Sequence, residues 1–192
     1  MKRSSAKPLA GAATSDKPRR VLTIGHSTRS IEDFRELLRK YGATCIVDVR
    51  TIPRSRRNPQ FNTEALPHSL AAANIGYVHL PSLGGLRRPR PDSLNNGWRN
   101  ASFRGFADYM QTEEFTRGIE QLLELVNAGK PALMCAEAVP WRCHRSLIAD
   151  ALLARGILAE HIISRTSCKP HTLTPFAVVD GTRVTYPRAS DQ

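Results

Sequence analysis

Short apolar runs alternate with amphipathic helical patterns along most of this chain. Five such runs predict strands, at residues 21–24, 45–47, 77–80, 132–134 and 161–163. A helical pattern follows each of the first four, and unbroken apolar strands separated by helices are typical of a parallel sheet covered on both faces. The sequence therefore predicts an α/β fold with a three-layer, doubly wound parallel sheet, formed by one domain over residues 20–192.

Local signals mark the ends of several predicted elements. Ser30 can cap the first helix, with Asp33 three residues further on, and Gly42 can end it. Near the C-terminus, Asp180 and Gly181 lie between two β-prone segments and predict a β-hairpin. We expect this hairpin to cover an edge of the sheet.

The segment from residue 131 to residue 156 carries the densest group of reactive side chains. Its apolar run predicts a strand, and helical spacing after residue 146 predicts a helix. Between them lie two thiols, a carboxylate, an imidazole and two guanidinium groups, namely Cys135, Glu137, Arg142, Cys143, His144 and Arg145. The amino end of a helix favours anions, and α/β proteins bind ligands at the carboxyl ends of strands. We therefore predict a functional site here, with an inert ion pair from Glu137 to Arg142 or Arg145 as the structural alternative.

Polar or glycine residues also follow the other predicted strands. His26 follows the first strand, Asp48 and Arg50 follow the second, and Gly84 and Gly85 follow the third. Each has an ordinary explanation by itself, as a turn residue or a solvated charge. Because parallel strands end at the same edge of a sheet, we expect all of them to converge with the loop after residue 135.

The net charge of +11 is unevenly distributed. Residues 1–20 contain 6 basic and 1 acidic residue, residues 50–104 contain 9 and 2, and the remainder is nearly neutral. Residues 1–19 show no periodicity and predict a disordered basic tail. The basic loops predict a partner that is a phosphate-bearing small molecule or a nucleic acid.

Cysteine content and hydropathy predict the compartment. The four cysteines are too few for a disulfide framework, and no apolar run approaches the roughly 18 residues that span a bilayer. The N-terminus lacks the apolar centre of a signal peptide. We therefore expect a cytoplasmic protein with reduced thiols and no membrane partner.

Several of the polar strand ends form motifs that resemble a known family. These motifs are G-H-S-T at 25–28, D-V-R at 48–50 with P-R-S at 53–55, L-G-G at 83–85, and C-A-E at 135–137 with C-H-R at 143–145. Over about residues 21–163 they resemble the bacterial and archaeal family called domain of unknown function 488. The resemblance implies an α/β fold and one shared site, and it implies no reaction or substrate.

A second, weaker similarity is to the rhodanese-like sulfurtransferases. It rests on the D-V-R motif at 48–50 followed later by a cysteine at a strand end, Cys135. The rhodanese loop normally forms a tight, glycine-containing anion cradle, whereas residues 135–142 contain Pro140 and no glycine. This similarity implies a sulfurtransferase as one alternative function.

The preferred hypothesis is an enzyme that acts on a phosphate-bearing ligand. Guanidinium groups bind phosphate in bidentate geometry. The residues predicted to bind the anion are Arg50, Arg56, Arg142, Arg145, Gly84 and Gly85.

The catalytic residues in this hypothesis surround Cys143. At the amino end of a helix and beside two arginines, Cys143 should have a lowered pKa and act as the nucleophile, and Cys135 is the second candidate thiol. His144 or Glu137 would transfer protons. Asp48 or His26 would orient the group that does so.

Two further alternatives remain at this stage. The sequence requires no cofactor, but Cys135, Cys143 and His144 could bind a metal ion with His26 or Glu137 as the fourth ligand. The other alternative is a non-catalytic nucleic-acid-binding protein, in which the arginine-rich loops carry the function and the polar strand ends form a rigid framework.

Overall fold

The computed structural model describes residues 19–188. The predicted disordered tail, residues 1–19, therefore lies outside the described residues except for Arg19. The strands are β1 (Arg20–Gly25), β2 (Cys45–Asp48), β3 (Gly76–His79), β4 (Pro131–Cys135), β5 (Leu158–Ile162), β6 (Cys168–Pro170), β7 (Val178–Asp180) and β8 (Arg183–Thr185). The α-helices are α1 (Ile31–Lys40), α2 (Leu66–Ala71), α3 (Ala101–Tyr109), α4 (Glu113–Ala128) and α5 (Arg145–Leu153).

Six strands form one sheet in the order β3-β2-β4-β1-β5-β6. The first five are parallel, and β6 is antiparallel to β5. The α/β prediction is confirmed, but the sheet is mixed because of β6, which the sequence pattern did not predict. The predicted hairpin is present as β7 and β8, which pair only with each other in the described part of the chain. Strand β6, and not the hairpin, therefore pairs with the edge of β5.

Two apolar clusters cover the two faces of the sheet, which gives the predicted three layers. One cluster packs α1 and α2 against the sheet and includes Leu22, Ile24 and Phe34. The other packs α3, α4 and α5 against the opposite face, and Val184 and Tyr186 from the hairpin region belong to it. Residues on alternating positions of β1 therefore face different layers.

The capping signals explain where several helices begin and end. Ser30 accepts a hydrogen bond from the Asp33 N–H at 3.1 Å, as predicted for α1. Helix α2 is shorter than its pattern predicted, because Asn62 does not cap it and instead accepts a hydrogen bond from the Ser55 N–H. Gly42, with φ of +68°, adopts the left-handed conformation that follows a helix.

The parallel arrangement puts the carboxyl ends of β1, β2, β3 and β4 at one edge of the sheet. Strand β1 lies at the centre, with β4 on one side and β5 on the other, and Gly25 at its end pairs with Cys135. The loops that leave these strands are therefore neighbours. Within residues 19–188, no helix has the length and apolar character needed to cross a membrane.

Candidate functional site

A cavity of about 340 Å³ opens where the carboxyl ends of β2 and β4 meet. We call it the thiol cavity. Its lining includes seven residues that the sequence singled out, namely Arg50, Gly85, Cys135, Glu137, Arg142, Cys143 and His144. Ile52, Leu86 and Phe103 supply an apolar wall. The fold thus brings together residues that are almost 100 positions apart in the sequence.

Cys143 and His144 lie side by side in the lining of the thiol cavity. The Nδ1 atom of His144 lies 3.7 Å from the Cys143 sulfur. The other ring nitrogen, Nε2, lies 3.2 Å from the carbonyl oxygen of Val49, to which it donates its hydrogen. This bond leaves Nδ1 as the nitrogen that can accept the thiol proton.

Cys135 at the end of β4 is the neighbour of Cys143 across the loop. Both cysteines are buried and neither forms a disulfide. The Cys135 thiol is the main reason that the pKa of Cys143 lies well below its ordinary value, because it can donate a hydrogen bond to a Cys143 sulfur anion. His144 and the charge of Arg145 lower the pKa of Cys143 further, against the effect of burial. The same hydrogen bond, together with burial, raises the pKa of Cys135.

Arg145 is a buried cation beside this pair. It is 1% exposed, and its Nη2 donates to the carbonyl oxygen of Glu137 at 2.6 Å. Its Nε and Nη1 atoms have no hydrogen-bond acceptor, and no carboxylate pairs with it within residues 19–188. Buried charges are normally paired, so Arg145 would favour a negative charge on a neighbouring group such as Cys143.

Two glycines allow the close contacts of this site. A Cβ atom at Gly25 would lie 1.9 Å from the Glu137 carbonyl oxygen, which is the oxygen that holds Arg145. A Cβ atom at Gly85 would lie 2.4 Å from Nδ1 of His144. The absence of a side chain at these positions therefore leaves room for the Glu137 carbonyl and for the His144 imidazole.

Asp48 and Arg50 form a buried ion pair behind the cavity wall. Arg50 donates to Asp48 Oδ1 from Nε at 2.8 Å and to Asp48 Oδ2 from Nη2. Arg50 Nη2 also donates to the carbonyl oxygen of Phe61, and the hydroxyl of Tyr77 donates to Asp48 at 2.9 Å. Most donors of Arg50 are thus committed to the protein, which leaves little of its guanidinium group for a ligand.

His26 lies next to this ion pair and is also buried. Its ring stacks on Phe61, with 4.4 Å between centroids, and its Nε2 lies 3.3 Å from Arg50 Nη1. Because Nδ1 donates to the carbonyl oxygen of Ser27, Nε2 is the acceptor of the Arg50 hydrogen. Burial lowers the pKa of His26 to about 4, so the ring is neutral at pH 7.

The other predicted site residues occupy different positions. The side chains of Glu137 and Arg142 are exposed at the mouth of the thiol cavity, and no ion pair within residues 19–188 involves either of them. Arg56 is exposed in a loop and does not line the cavity. Gly84 is buried against Thr51. His26 and Asp48 support the cavity from behind and do not line it.

A second buried polar network was not predicted from the sequence. The hydroxyl of Thr23 donates to His161 Nδ1 at 2.7 Å, His161 Nε2 donates to His171 at 2.9 Å, and His171 Nε2 donates to Asp150 at 2.8 Å. Asp150 also accepts from the Tyr186 hydroxyl. Burial lowers the pKa of His161 to about 4. The signal that could have shown this network is Asp150, an acid in the otherwise apolar pattern of α5.

The thiol cavity also contains a set of metal-binding atoms. The sulfurs of Cys135 and Cys143 and a ring nitrogen of His144 lie within 4.8 Å of one another. Two thiolates and an imidazole are ligands that zinc accepts in catalytic sites, with a fourth position left open. The Val49 carbonyl would orient the imidazole as an outer partner of the metal.

Comparison with known proteins identifies the family. The chain matches a family model described as Domain of unknown function DUF488 over residues 30–152, which are 123 of its 192 residues. No curated protein and no solved structure matches the chain. The rhodanese similarity finds no support in these comparisons. The chain belongs to the family described as Domain of unknown function DUF488.

Proposed function

We propose that this protein is an enzyme that uses the Cys143 thiolate as a nucleophile on a small anionic ligand bound in the thiol cavity. The observation that carries the proposal is the position of the Cys143 sulfur, 3.7 Å from a ring nitrogen of His144 and at the wall of a cavity. A base within reach and a nearby positive charge activate a thiol. A cysteine that only packs in a core requires neither.

In this proposal His144 transfers the proton. Its Nδ1 accepts the proton of the Cys143 thiol, and the sulfur then forms a bond to an electrophilic atom of the substrate. The imidazolium returns the proton to the group that leaves. The Cys135 thiol keeps its own proton and stabilises the sulfur anion by its hydrogen bond. Glu137 at the cavity mouth is a second group that could exchange protons with solvent.

The ligand class follows from the rest of the cavity lining. Arg142 is exposed at the mouth without an ion-pair partner within residues 19–188, so its guanidinium group can bind an anionic group such as phosphate. Ile52, Leu86 and Phe103 can contact an apolar part of the same molecule. A volume of about 340 Å³ suits a small molecule rather than a folded partner.

Thiol alkylation tests this proposal directly. We expect iodoacetamide to modify Cys143 at pH 7 faster than Cys45, whose pKa is raised by burial. Mass spectrometry of digested protein measures each site separately. The His144→Ala variant should slow the reaction at Cys143, and inorganic pyrophosphate should protect it in the wild type but not in Arg142→Gln. Equal rates at Cys143 and Cys45 would mean that the thiols only pack in the core.

A zinc enzyme is the second candidate, because three ligand atoms already lie together. Cys135, Cys143 and His144 would hold the ion, and the metal would supply a Lewis acid at the open position. The two candidates differ in the alkylation experiment. If Cys143 is a free thiolate, a chelator should not change its alkylation rate. If Cys143 binds a metal ion, the metal protects it, and a chelator should raise its alkylation rate. Metal analysis of the purified protein gives an independent measurement.

A further inference from the structure

A second cavity, of about 510 Å³, lies apart from the thiol cavity and contains three arginines. We call it the arginine cavity. Arg99, Arg104 and Arg188 line it together with the rings of Trp98 and Phe176, and no acidic residue among residues 19–188 belongs to its lining. None of the three arginines forms an ion pair within residues 19–188. Two other arginines of the same loop differ, because Arg87 pairs with Glu114 and Arg90 pairs with Asp92.

The three arginines come from two separate parts of the chain. Arg99 belongs to the loop before α3, Arg104 belongs to α3, and Arg188 follows β8. Three like charges around one cavity repel each other, and an anion bound in that space would offset the repulsion. Guanidinium groups bind phosphate oxygens through paired hydrogen bonds, and three of them can surround a single phosphate group.

Buried contacts hold these parts of the chain together. The side chain of Asn95 accepts a hydrogen bond from the Tyr186 N–H at 2.9 Å and donates to Asp108 at 2.7 Å. The Gly97 N–H donates to the Tyr186 carbonyl at 2.9 Å, and a Cβ atom at Gly97 would lie 2.8 Å from both Phe176 and the Pro187 carbonyl. The segment that carries Arg188 is therefore fixed against the loop that carries Arg99.

The buried carboxylate of Asp108, which bonds to the Asn95 side chain, does not pair with these arginines. Asp108 accepts hydrogen bonds from the Ser93 hydroxyl, the Asn95 amide and the Arg90 N–H, and it is 5% exposed. Its oxygens are thus occupied by other donors. The positive charge of the cavity faces outward, where Arg99 and Arg188 are exposed and Arg104 is half-buried.

We propose that the arginine cavity is a binding site for a phosphate group, supplied either by a nucleotide or by a single strand of nucleic acid. This site is independent of the thiol chemistry, because the two cavities share no lining residue. They are nonetheless neighbours, since the ring of Phe103 lines the thiol cavity and packs on Trp98 with 4.7 Å between centroids. A ligand phosphate bound at the arginines would therefore lie close to the thiol cavity.

Tryptophan fluorescence provides the binding assay. The chain contains two tryptophans, so the variant Trp141→Phe, at a position that is 64% exposed, leaves Trp98 in the cavity wall as the reporter. In this background we would titrate ATP and a single-stranded DNA of about ten nucleotides at several salt concentrations. Replacing Arg99, Arg104 and Arg188 by Gln should weaken binding by about tenfold for each arginine. For the DNA, each replacement should also reduce the salt slope by about 1.

A charge-matched variant distinguishes a specific phosphate site from nonspecific electrostatic attraction. Arg39, Arg57 and Arg88 are exposed and outside the cavity, and replacing these three by Gln removes the same charge. Affinity that falls for the cavity variant and stays within about twofold for this control supports the site. Binding of ATP and DNA with similar affinity identifies a nucleotide site, and binding of DNA alone identifies a strand. Equal loss in both variants, or no binding of either probe to the wild type, would overturn the proposal.

Discussion

Gly85 lies so close to the imidazole of His144 that a single methyl group would reach within 2.4 Å of Nδ1. The site thus depends on a glycine that forms no part of the chemistry itself. Nδ1 is the atom that faces the Cys143 sulfur, so a side chain at position 85 would displace the nitrogen from the thiol.

The first prediction follows from this contact. We expect Gly85→Ala to slow alkylation of Cys143 by at least about tenfold at pH 7, in the manner of His144→Ala, because the base is moved away. The matched control is Gly76→Ala, whose added methyl would meet its nearest atom, the Cys45 sulfur, only at 3.4 Å. A Gly85→Ala variant with unchanged Cys143 labelling would show that His144 does not activate the thiol.

A second prediction concerns the coupling between Arg145 and Cys143. In the wild type, Arg145→Met should slow Cys143 alkylation, because the thiolate loses the nearby positive charge. In a Cys143→Ala background the same change should raise the free energy of unfolding by about 1–4 kcal/mol, since it removes a buried charge without a counter-ion. Urea denaturation of the four proteins measures the cycle. Equal destabilisation in both backgrounds would assign Arg145 only to holding the Glu137 carbonyl.

Breaking the buried ion pair should be costly. We expect Asp48→Asn to lower the free energy of unfolding by about 3–5 kcal/mol, because Arg50 would stay buried without its counter-charge. Tyr77→Phe, which removes one hydrogen bond to Asp48 and keeps the charge, should cost only about 1 kcal/mol. Chemical denaturation compares the two variants. Similar losses for both would indicate that Asp48 acts through its hydrogen bonds rather than its charge.

The two buried histidines predict a dependence of stability on pH. His26 and His161 have a pKa of about 4 in the folded protein, against 6.5 for an unfolded chain. Between these values the unfolded state binds more protons, so stability is complete above pH 6.5 and is lost as the pH falls towards 4, by about 3 kcal/mol for each histidine.

Denaturation midpoints across this pH range check that sign and size. His161→Gln should remove about half of the loss between pH 6.5 and pH 4, whatever its effect on stability at pH 7. The control is His68→Gln, at an exposed position of α2. It measures how much the pH dependence of stability changes when an exposed imidazole is removed. A steeper loss in His161→Gln than in the wild type would contradict the prediction.

Much of the fold could be predicted because its signals are local or periodic. Ser30 with Asp33 marked the start of α1, and the apolar runs located all five parallel strands. Strand β6 was missed because its three residues, Cys168–Pro170, carry no alternating pattern, and it forms only because β5 offers an unpaired edge.

The site was predictable in its location but not in the roles of its charges. Parallel strand ends must share an edge, so the convergence of Cys135 with Arg50 followed from the strand pattern. Nothing local distinguishes Arg50, which is committed to Asp48, from Arg142, which is exposed at the cavity mouth. That difference arises from tertiary packing, as does the gathering of Arg99 and Arg188 from segments almost 90 residues apart.

The strand order has a consequence for how the chain is made. Thr23 in β1 pairs with Leu133 in β4 on one side and with His161 in β5 on the other. Both partners leave the ribosome more than 100 residues after β1. During synthesis β1 therefore stays unpaired, while β2 and β3 can already pair with each other. Folding dominated by such distant pairings is slow, and β1 is a strand whose pairing is completed late.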